Sequence, residues 1–266
     1  MLLIILVLMA LALFLIAPST RGRANSWRGT SFAHRGLHSS AVSENSLRAF
    51  ELACRAGTGI ELDVQLSSDG QVVVFHDDTL KRMTGDTRRV DEATLADLRA
   101  LSLPDVSQIP TFEEVLRLVN GRAPLLVELK NGRRNAELCR RTMQLLSAYN
   151  GPYIVESFNP LILLWFRKNA PQVIRGQLVS SIENYTPQFS IAVGFMLASL
   201  ALNFLTRPDF IAYDANAAKF FTPRIIRALF QTPLAPWTIT SPAAYAAALE
   251  RREMPIFEGF TPEKRA

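Results

Sequence analysis

The sequence predicts an α/β fold of the TIM-barrel, (β/α)8 type, with an inserted subdomain after the third strand-like segment and an apolar transmembrane helix ahead of it. Three observations point there. The chain has 266 residues, 48% of them apolar, which suits one domain of barrel size. Short β-branched and aromatic runs alternate with helical patterns, as parallel βα units do. Acids, histidines and a lysine stand at the ends of those runs, and in such a barrel the C-terminal ends of the strands converge on one mouth.

Taken in order, Leu2 to Ala17 is an uninterrupted apolar run followed by Arg21, Arg23 and Arg28. It is at the short edge of a membrane span, for which about 17 to 25 residues are needed. No charge precedes it, as a secretory signal would require, and the arginines lie only on its C-terminal side. Under the positive-inside rule, residues 1–20 read as an uncleaved single-pass anchor in the inner membrane with the domain in the cytoplasm. Cleavage near Ala17-Pro18-Ser19 and secretion is the alternative. Residues 21–29 read as a basic linker able to lie on anionic headgroups, at about 1 kcal/mol per charge. Residues 30–266 form the barrel domain.

Within it, Thr30 to Ala33 leads into His34, Thr58 to Ile60 into Glu61, and Val72 to Phe75 into His76. Between the first two, Leu47 to Ala56 is helical and is closed by Gly57. In Glu61-Leu62-Asp63 the two acids share one face of a strand. An isolated buried carboxylate is costly, and oxygen ligands suit a hard divalent cation such as magnesium or calcium. The strand Pro124 to Val127 ends in Glu128-Leu129-Lys130, where Glu128 could complete the ligand set and Lys130 offset substrate charge. Residues 77–110 are too long and polar for an ordinary βα connection. A helix from Thr111 to Val119 opens on a capping box of Thr111 and Glu114.

Later come a helix from Asn135, strand Tyr153 to Glu156, helix Pro160 to Asn169 and strand Val173 to Leu178. Residues 189–205 are a second apolar run with little polarity on any face. A span there would split the barrel across the membrane, so the run is expected as an apolar lid or re-entrant segment touching lipid. Strands Phe210 to Tyr213, Leu234 to Thr238 and Ile256 to Phe257 follow, giving nine strand-like segments for eight barrel positions. The net charge of +5 is scattered, so nucleic acid is not an expected partner. Cys54 and Cys139 lack metal-binding spacing and read as reduced.

His34-Arg35-Gly36, Glu44-Asn45-Ser46, Glu61-Leu62-Asp63-Val64, the run Val74 to Gly85, Ile109 to Leu116 and Val127-Glu128-Leu129-Lys130 resemble, in order, the motifs of the glycerophosphodiester phosphodiesterase family. The resemblance runs over residues 31–178 and implies a TIM barrel, a divalent metal and hydrolysis of glycerophosphodiesters to glycerol 3-phosphate and an alcohol. It makes Glu44 a site residue and residues 77–110 a subdomain over the mouth. Trp237-Thr238 resembles a late family motif that contacts substrate, whereas Glu258-Gly259-Phe260 departs from the usual Thr-Asp. The mechanism expected is a metal on Glu61, Asp63 and Glu128, further positive charge from Arg35 and Lys130, and acid and base roles divided between His34 and His76. His38 is expected to be an exposed loop residue. Two alternatives stand beside this: phospholipase D-like cleavage of lysophospholipids or other acylated substrates at the membrane, and a non-catalytic membrane-tethered binding module.

Overall fold

The computed structural model of the chain describes residues 1–186, 189–216 and 222–262. Helix α1 (Leu2–Ile16) leads through a 3-10 turn (Arg23–Trp27) to strand β1 (Phe32–Ala33), helix α2 (Leu47–Ala56) and strands β2 (Gly59–Leu66) and β3 (Val72–Val74). Two short helices, α3 (Lys81–Thr84) and α4 (Leu95–Arg99), precede α5 (Phe112–Val119) and β4 (Leu125–Leu129). Then come α6 (Asn135–Ser147), β5 (Tyr153–Ser157), α7 (Pro160–Asn169) and β6 (Arg175–Val179). The chain continues through α8 (Ile182–Tyr185), α9 (Ile191–Ala198), α10 (Asn203–Thr206), β7 (Phe210–Asp214), α11 (Thr222–Phe230), β8 (Leu234–Trp237), α12 (Pro242–Glu250) and β9 (Ile256–Phe257).

Eight of the strands run parallel in the order β8-β7-β6-β5-β4-β2-β1-β9, and a parallel bridge between Ile239 and Phe257 brings the two ends together. The surplus strand is β3, which lies outside the barrel. It folds back antiparallel along the end of β2, pairing Val64 with Val74 and Leu66 with Val72. That reversal returns the chain to the mouth, where the Phe75 amide donates to the Asp63 carbonyl at 3.0 Å. His76 therefore reaches the site from above and not from the tip of a barrel strand.

Alternation along β2 sets inside against outside. Ile60, Leu62, Val64 and Leu66 pack with Phe50 of α2 and Phe112, Val115 and Val119 of α5 in the outer core. Glu61 and Asp63 fall on the opposite face, inside the barrel. Lower in the barrel, Phe32, Leu126, Ile154, Phe210, Ala235 and Ile256 form a second core. Gly176 leaves room for the Phe210 ring, which a Cβ there would meet at 2.1 Å. Within residues 21–29, expected as a linker, two side chains join this second core: Ala24 is fully buried, and the half-buried Trp27 stacks on Phe32 with ring centroids 6.2 Å apart.

The N-terminal expectation needs correction. No helix among the described residues is long and apolar enough to cross a membrane. Helix α1 has 15 residues, about 22 Å at 1.5 Å per residue, against about 30 Å of bilayer hydrocarbon. Its last turn docks on the barrel, with Phe14 against Phe204 at 5.9 Å and Asn203 Nδ2 donating to the Ile16 carbonyl at 2.9 Å. Residues 189–205 also differ from one lid: they contribute α9 and α10, broken at Leu200, whose φ is +59°. They serve as the β6–β7 connection on the barrel's flank, burying Gly194, Ala198 and Leu200 and leaving Ile191 and Phe195 exposed.

Residues 77–110 carry α3, α4 and a small core of Leu80, Val90, Ala93, Leu98, Leu103 and Ile109, joined by Val73 and Phe75. Asp105 pins this unit to the loop that precedes α2, accepting from the Ser43 amide at 3.0 Å and the Ser43 hydroxyl at 2.8 Å. Burial opposes ionisation of Asp105, but hydrogen bonds from Ser107 and Ser43 outweigh it and lower its pKa to about 2. An unfolded aspartate titrates near 3.9, so the contribution is complete above about pH 4 and fades as pH falls towards about 2. Asp105→Asn should lower the urea midpoint at pH 7, with the gap from wild type closing as the titration approaches pH 3. A gap constant with pH would mean that the charge is not what pins the loop.

Candidate active site

Three strands carry the acids. Parallel register sets Asp63 beside Glu128 and Glu128 beside Glu156, at the C-terminal ends of β2, β4 and β5. Glu61 lies one inward position below Asp63. All four residues are buried, at 1 to 7% exposure. Lys130, two residues past Glu128, places Nζ 2.9 Å from Glu128 Oε1 and 3.4 Å from Asp63 Oδ1.

Arg35 binds the group from the β1 side. Its backbone has a φ of +55°, which turns its amide onto Glu61 Oε2 at 2.9 Å. Its guanidinium donates to Glu44 Oε1 at 2.8 Å and lies 3.6 Å from Asp63. Asn45, also left-handed at φ +54°, donates from Nδ2 to Asp63 Oδ2 at 2.8 Å. Glu44 is in turn gripped by Arg82 of the inserted unit through bonds of 2.6 and 2.9 Å.

The two histidines are held in the same way. His34 Nδ1 lies 2.5 Å from Glu258 Oε2, and His76 Nδ1 lies 2.6 Å from Asp77 Oδ1, itself paired with Arg82. A carboxylate on Nδ1 fixes the ring and keeps that proton in place, leaving Nε2 for chemistry. His34, Arg35, Glu61, His76, Glu128, Glu156 and Trp237 all line a cavity of about 130 Å³. Trp237 forms its wall with Phe158, edge to face at 5.7 Å.

Electrostatics inside the cavity are unbalanced. Burial foremost, then Asp63 and Glu128, push Glu61 well above the usual carboxylate range. Burial raises Glu128 to about 7, with Asp63 adding to it and Lys130 opposing. Glu156 is driven up by burial and by the other three acids, and its Oε2 has no hydrogen-bond partner among the described residues. Asp63 goes the other way: burial opposes its charge, but Lys130, His76, Arg35 and Asn45 outweigh it. Burial also lowers His76 below the ordinary histidine value, with Lys130 and Arg35 adding to it and Asp63 opposing. Two cations thus face four carboxyls, and the site is two positive charges short of holding all four ionised.

A divalent cation fits that deficit. One oxygen each from Glu61, Asp63 and Glu128 lie within 4.8 Å of one another, a span that metal–oxygen bonds of about 2.0 to 2.6 Å can bridge. Asp63 Oδ1, buried without a hydrogen-bond partner among the described residues, is a ready ligand atom.

The residues expected from sequence to serve a site, His34, Arg35, Glu44, Glu61, Asp63, His76, Glu128, Lys130 and Trp237, lie in the cavity wall or one contact behind it. Of the described residues that line the cavity, none comes from 189–205. Sequence reasoning missed Glu258, Glu156, Asn45, Asp77 and Arg82 as working parts. Glu156 and Glu258 carried the same signal as Glu128, an acid ending an apolar strand. His38, expected to be exposed, is half-buried, with Nε2 3.7 Å from Glu258.

The chain matches the model of the glycerophosphoryl diester phosphodiesterase family over residues 34–256. A putative glycerophosphodiester phosphodiesterase of Bacillus subtilis is 35% identical over 151 residues, covering 53% of this chain and 62% of the relative. A glycerophosphodiester phosphodiesterase of Caldanaerobacter subterraneus is 35% identical over 158 residues, covering 55% of this chain and 65% of the relative. Each match thus spans just under two thirds of the relative. Among solved structures, a phosphodiesterase of Oleispira antarctica in complex with the product sn-glycerol-3-phosphate superposes with a TM-score of 0.71 at 25% identity, covering 88% of this chain and 94% of that one. The glycerophosphodiester phosphodiesterase of Thermotoga maritima gives 0.66 at 25% identity, covering 86% and 94%.

If the acid cluster takes a divalent ion, magnesium or calcium at about a hundredfold excess over Kd should stabilise the fold by about 2.7 kcal/mol. Thermal melting with each ion and with EDTA reads this, and Asp63→Asn should abolish the shift. Equal melting in both conditions would remove the metal from the site.

Proposed function

The chain belongs to the glycerophosphoryl diester phosphodiesterase family, and from that membership we propose that it hydrolyses glycerophosphodiesters to glycerol 3-phosphate and an alcohol. The observation that carries this reading is the pair of imidazoles, His34 and His76, each held at Nδ1 by a carboxylate and both facing the cavity that holds the acid cluster.

In this mechanism the phosphodiester sits between the two rings. One Nε2 takes the proton of the attacking hydroxyl and the other returns a proton to the departing alkoxide. Arg35 in the cavity wall and Lys130 behind Glu128 supply charge for the nonbridging oxygens, Arg35 by its planar fork. Glu61, Asp63 and Glu128 would hold magnesium or calcium, which when bound supplies Lewis-acid charge to the phosphoryl group. Glu44 keeps Arg35 in place from behind, and Trp237 offers an apolar face to the glycerol or head-group carbons. Water and the substrate's own free glycerol hydroxyl both suit the attacking role, and a cyclic phosphate in the product mixture would identify the second.

The place of action we propose is the cytoplasmic face of the inner membrane. The exposed apolar α1 and the arginines that follow it support this.

Release of choline from glycerophosphocholine should require a divalent ion and fall by about 10² to 10⁴ in His34→Ala and in His76→Ala. Lysophosphatidylcholine in parallel reactions tests for an acylated substrate. Wild-type protein inert on both with every metal would overturn the reading. Glu258→Gln, which keeps the side chain's size but removes its charge, should lower kcat about 10- to 100-fold with KM nearly unchanged. An unchanged kcat would reduce Glu258 to a packing role.

A further inference from the structure

At the N-terminal ends of β6 and β7, remote from the mouth, a groove of about 420 Å³ runs between residues 17–21, the end of α7 and the end of α10. Four arginines line it, Arg21, Arg167, Arg175 and Arg207, and among the described residues no carboxylate does. Asp209, which stands beside Arg175, is already held by Arg23 at 2.7 and 3.1 Å.

Three of the four wall cations are held in a fixed place by main-chain oxygens. Arg167 donates to the carbonyls of Phe204 and Leu205 at 3.0 and 2.7 Å. Arg207 donates to the Ala17 carbonyl at 2.8 Å while its guanidinium covers the Phe14 ring at 4.8 Å. Arg175, only 4% exposed, spends Nε and Nη2 on the carbonyls of Thr206 and Arg207, both at 2.9 Å. Its Nη1 has no hydrogen-bond partner among the described residues and stands 3.9 Å from Asp209, beyond hydrogen-bonding distance. Burial, Arg23, Arg167 and Arg21 together bring Arg175 down to about 10 against the pull of Asp209, a cost of crowding cations that an anion would relieve.

We propose that this arginine groove binds the phosphate of an anionic phospholipid headgroup and seats the protein on a membrane surface. Planar guanidinium groups suit phosphate oxygens. The lipid source follows from the groove's own wall. That wall continues upward into α1, whose residues Leu2 to Phe14 are exposed and apolar on every side. Such a surface is unfavourable in water by about 25 cal/mol per Å² and is relieved in hydrocarbon. Because the last turn of α1 is fixed to α10 by Phe14, Ile16 and Ala17, an α1 taken up by lipid brings the groove to headgroup level. The inference is independent of the catalytic reading, and its test does not measure turnover.

The test is co-sedimentation of the full chain with vesicles of phosphatidylcholine alone and of phosphatidylcholine with about 30% phosphatidylglycerol, at about 0.05 and 0.5 M salt. Anionic lipid should raise the partition coefficient several-fold at low salt and much less at high salt. Arg21→Gln and Arg167→Gln should each cost about fivefold on anionic vesicles and nothing on phosphatidylcholine. Arg117→Gln, on the distant α5, should cost nothing, and melting curves check that each variant is folded. Partition indifferent to lipid charge, or unaffected by Arg21→Glu, would overturn the proposal. So would millimolar phosphate raising the melting temperature without any anion-dependent vesicle binding, which would assign the groove to a soluble phosphate. Self-association through α1 in sedimentation velocity, with no vesicle binding, would likewise assign that surface to a second copy of the chain.

Discussion

Everything around the mouth of this barrel answers to one constraint: four carboxyl groups are brought out of water by three neighbouring strands. Parallel register leaves no choice in the matter, since Asp63, Glu128 and Glu156 stand side by side once β2, β4 and β5 pair as they do. Burying charge without compensation costs several kcal/mol per ion. The fold meets that cost with Lys130 on the same strand face as Glu128 and with Arg35, whose left-handed backbone brings both an amide and a guanidinium to the acids. Asn45 does the same for Asp63. The shortfall that remains is what gives the site an appetite for a divalent cation.

The inserted unit follows from the same pressure. Glu44 holds Arg35, and a half-buried Glu44 needs its own partner, which is Arg82 reaching over from α3. Arg82 also holds Asp77, which holds His76. Asp105 ties the unit to Ser43, one residue before Glu44. A single chain of charge-assisted bonds therefore runs from the floor acids to His76, and none of its links beyond those acids lies on a barrel strand. Networks of this kind are worth more as a unit than their pairs suggest.

Much of this was legible in the sequence because the chemistry sits where periodicity is clearest. Glu61 and Asp63 at i and i+2, the capping box at Thr111 and the Gly57 stop all follow from local rules. What was not legible depends on contacts far apart in the chain. Glu258 lies 224 residues from His34, and only closure of the barrel between β9 and β1 brings them together. The reversal of β3 could not be told from a barrel strand, since Val72 to Phe75 is as apolar as either kind. Residues 21–29 misled through composition: three arginines conceal Ala24 and Trp27, which pack on the barrel's second core. The apolar run of 189–205 was readable as unusual, but its break at Leu200 and its place on the flank come from packing on β6 and β7.

The two ends of the barrel solve opposite electrostatic problems with the same residues of contact. At the mouth, acids exceed bases, and the bases present are spent on side-chain carboxylates. At the far end, around β6 and β7, arginines exceed acids and are spent on carbonyl oxygens, which orient a guanidinium without cancelling its charge. Backbone carbonyls at the end of α10 are free to play this part because a helix leaves its last carbonyls unsatisfied. A guanidinium held by neutral acceptors keeps its field for a ligand, whereas one held by a carboxylate, as Arg23 is by Asp209, does not. The polarity of the molecule along its barrel axis, cation-seeking at one end and anion-seeking at the other, follows from that difference in partners.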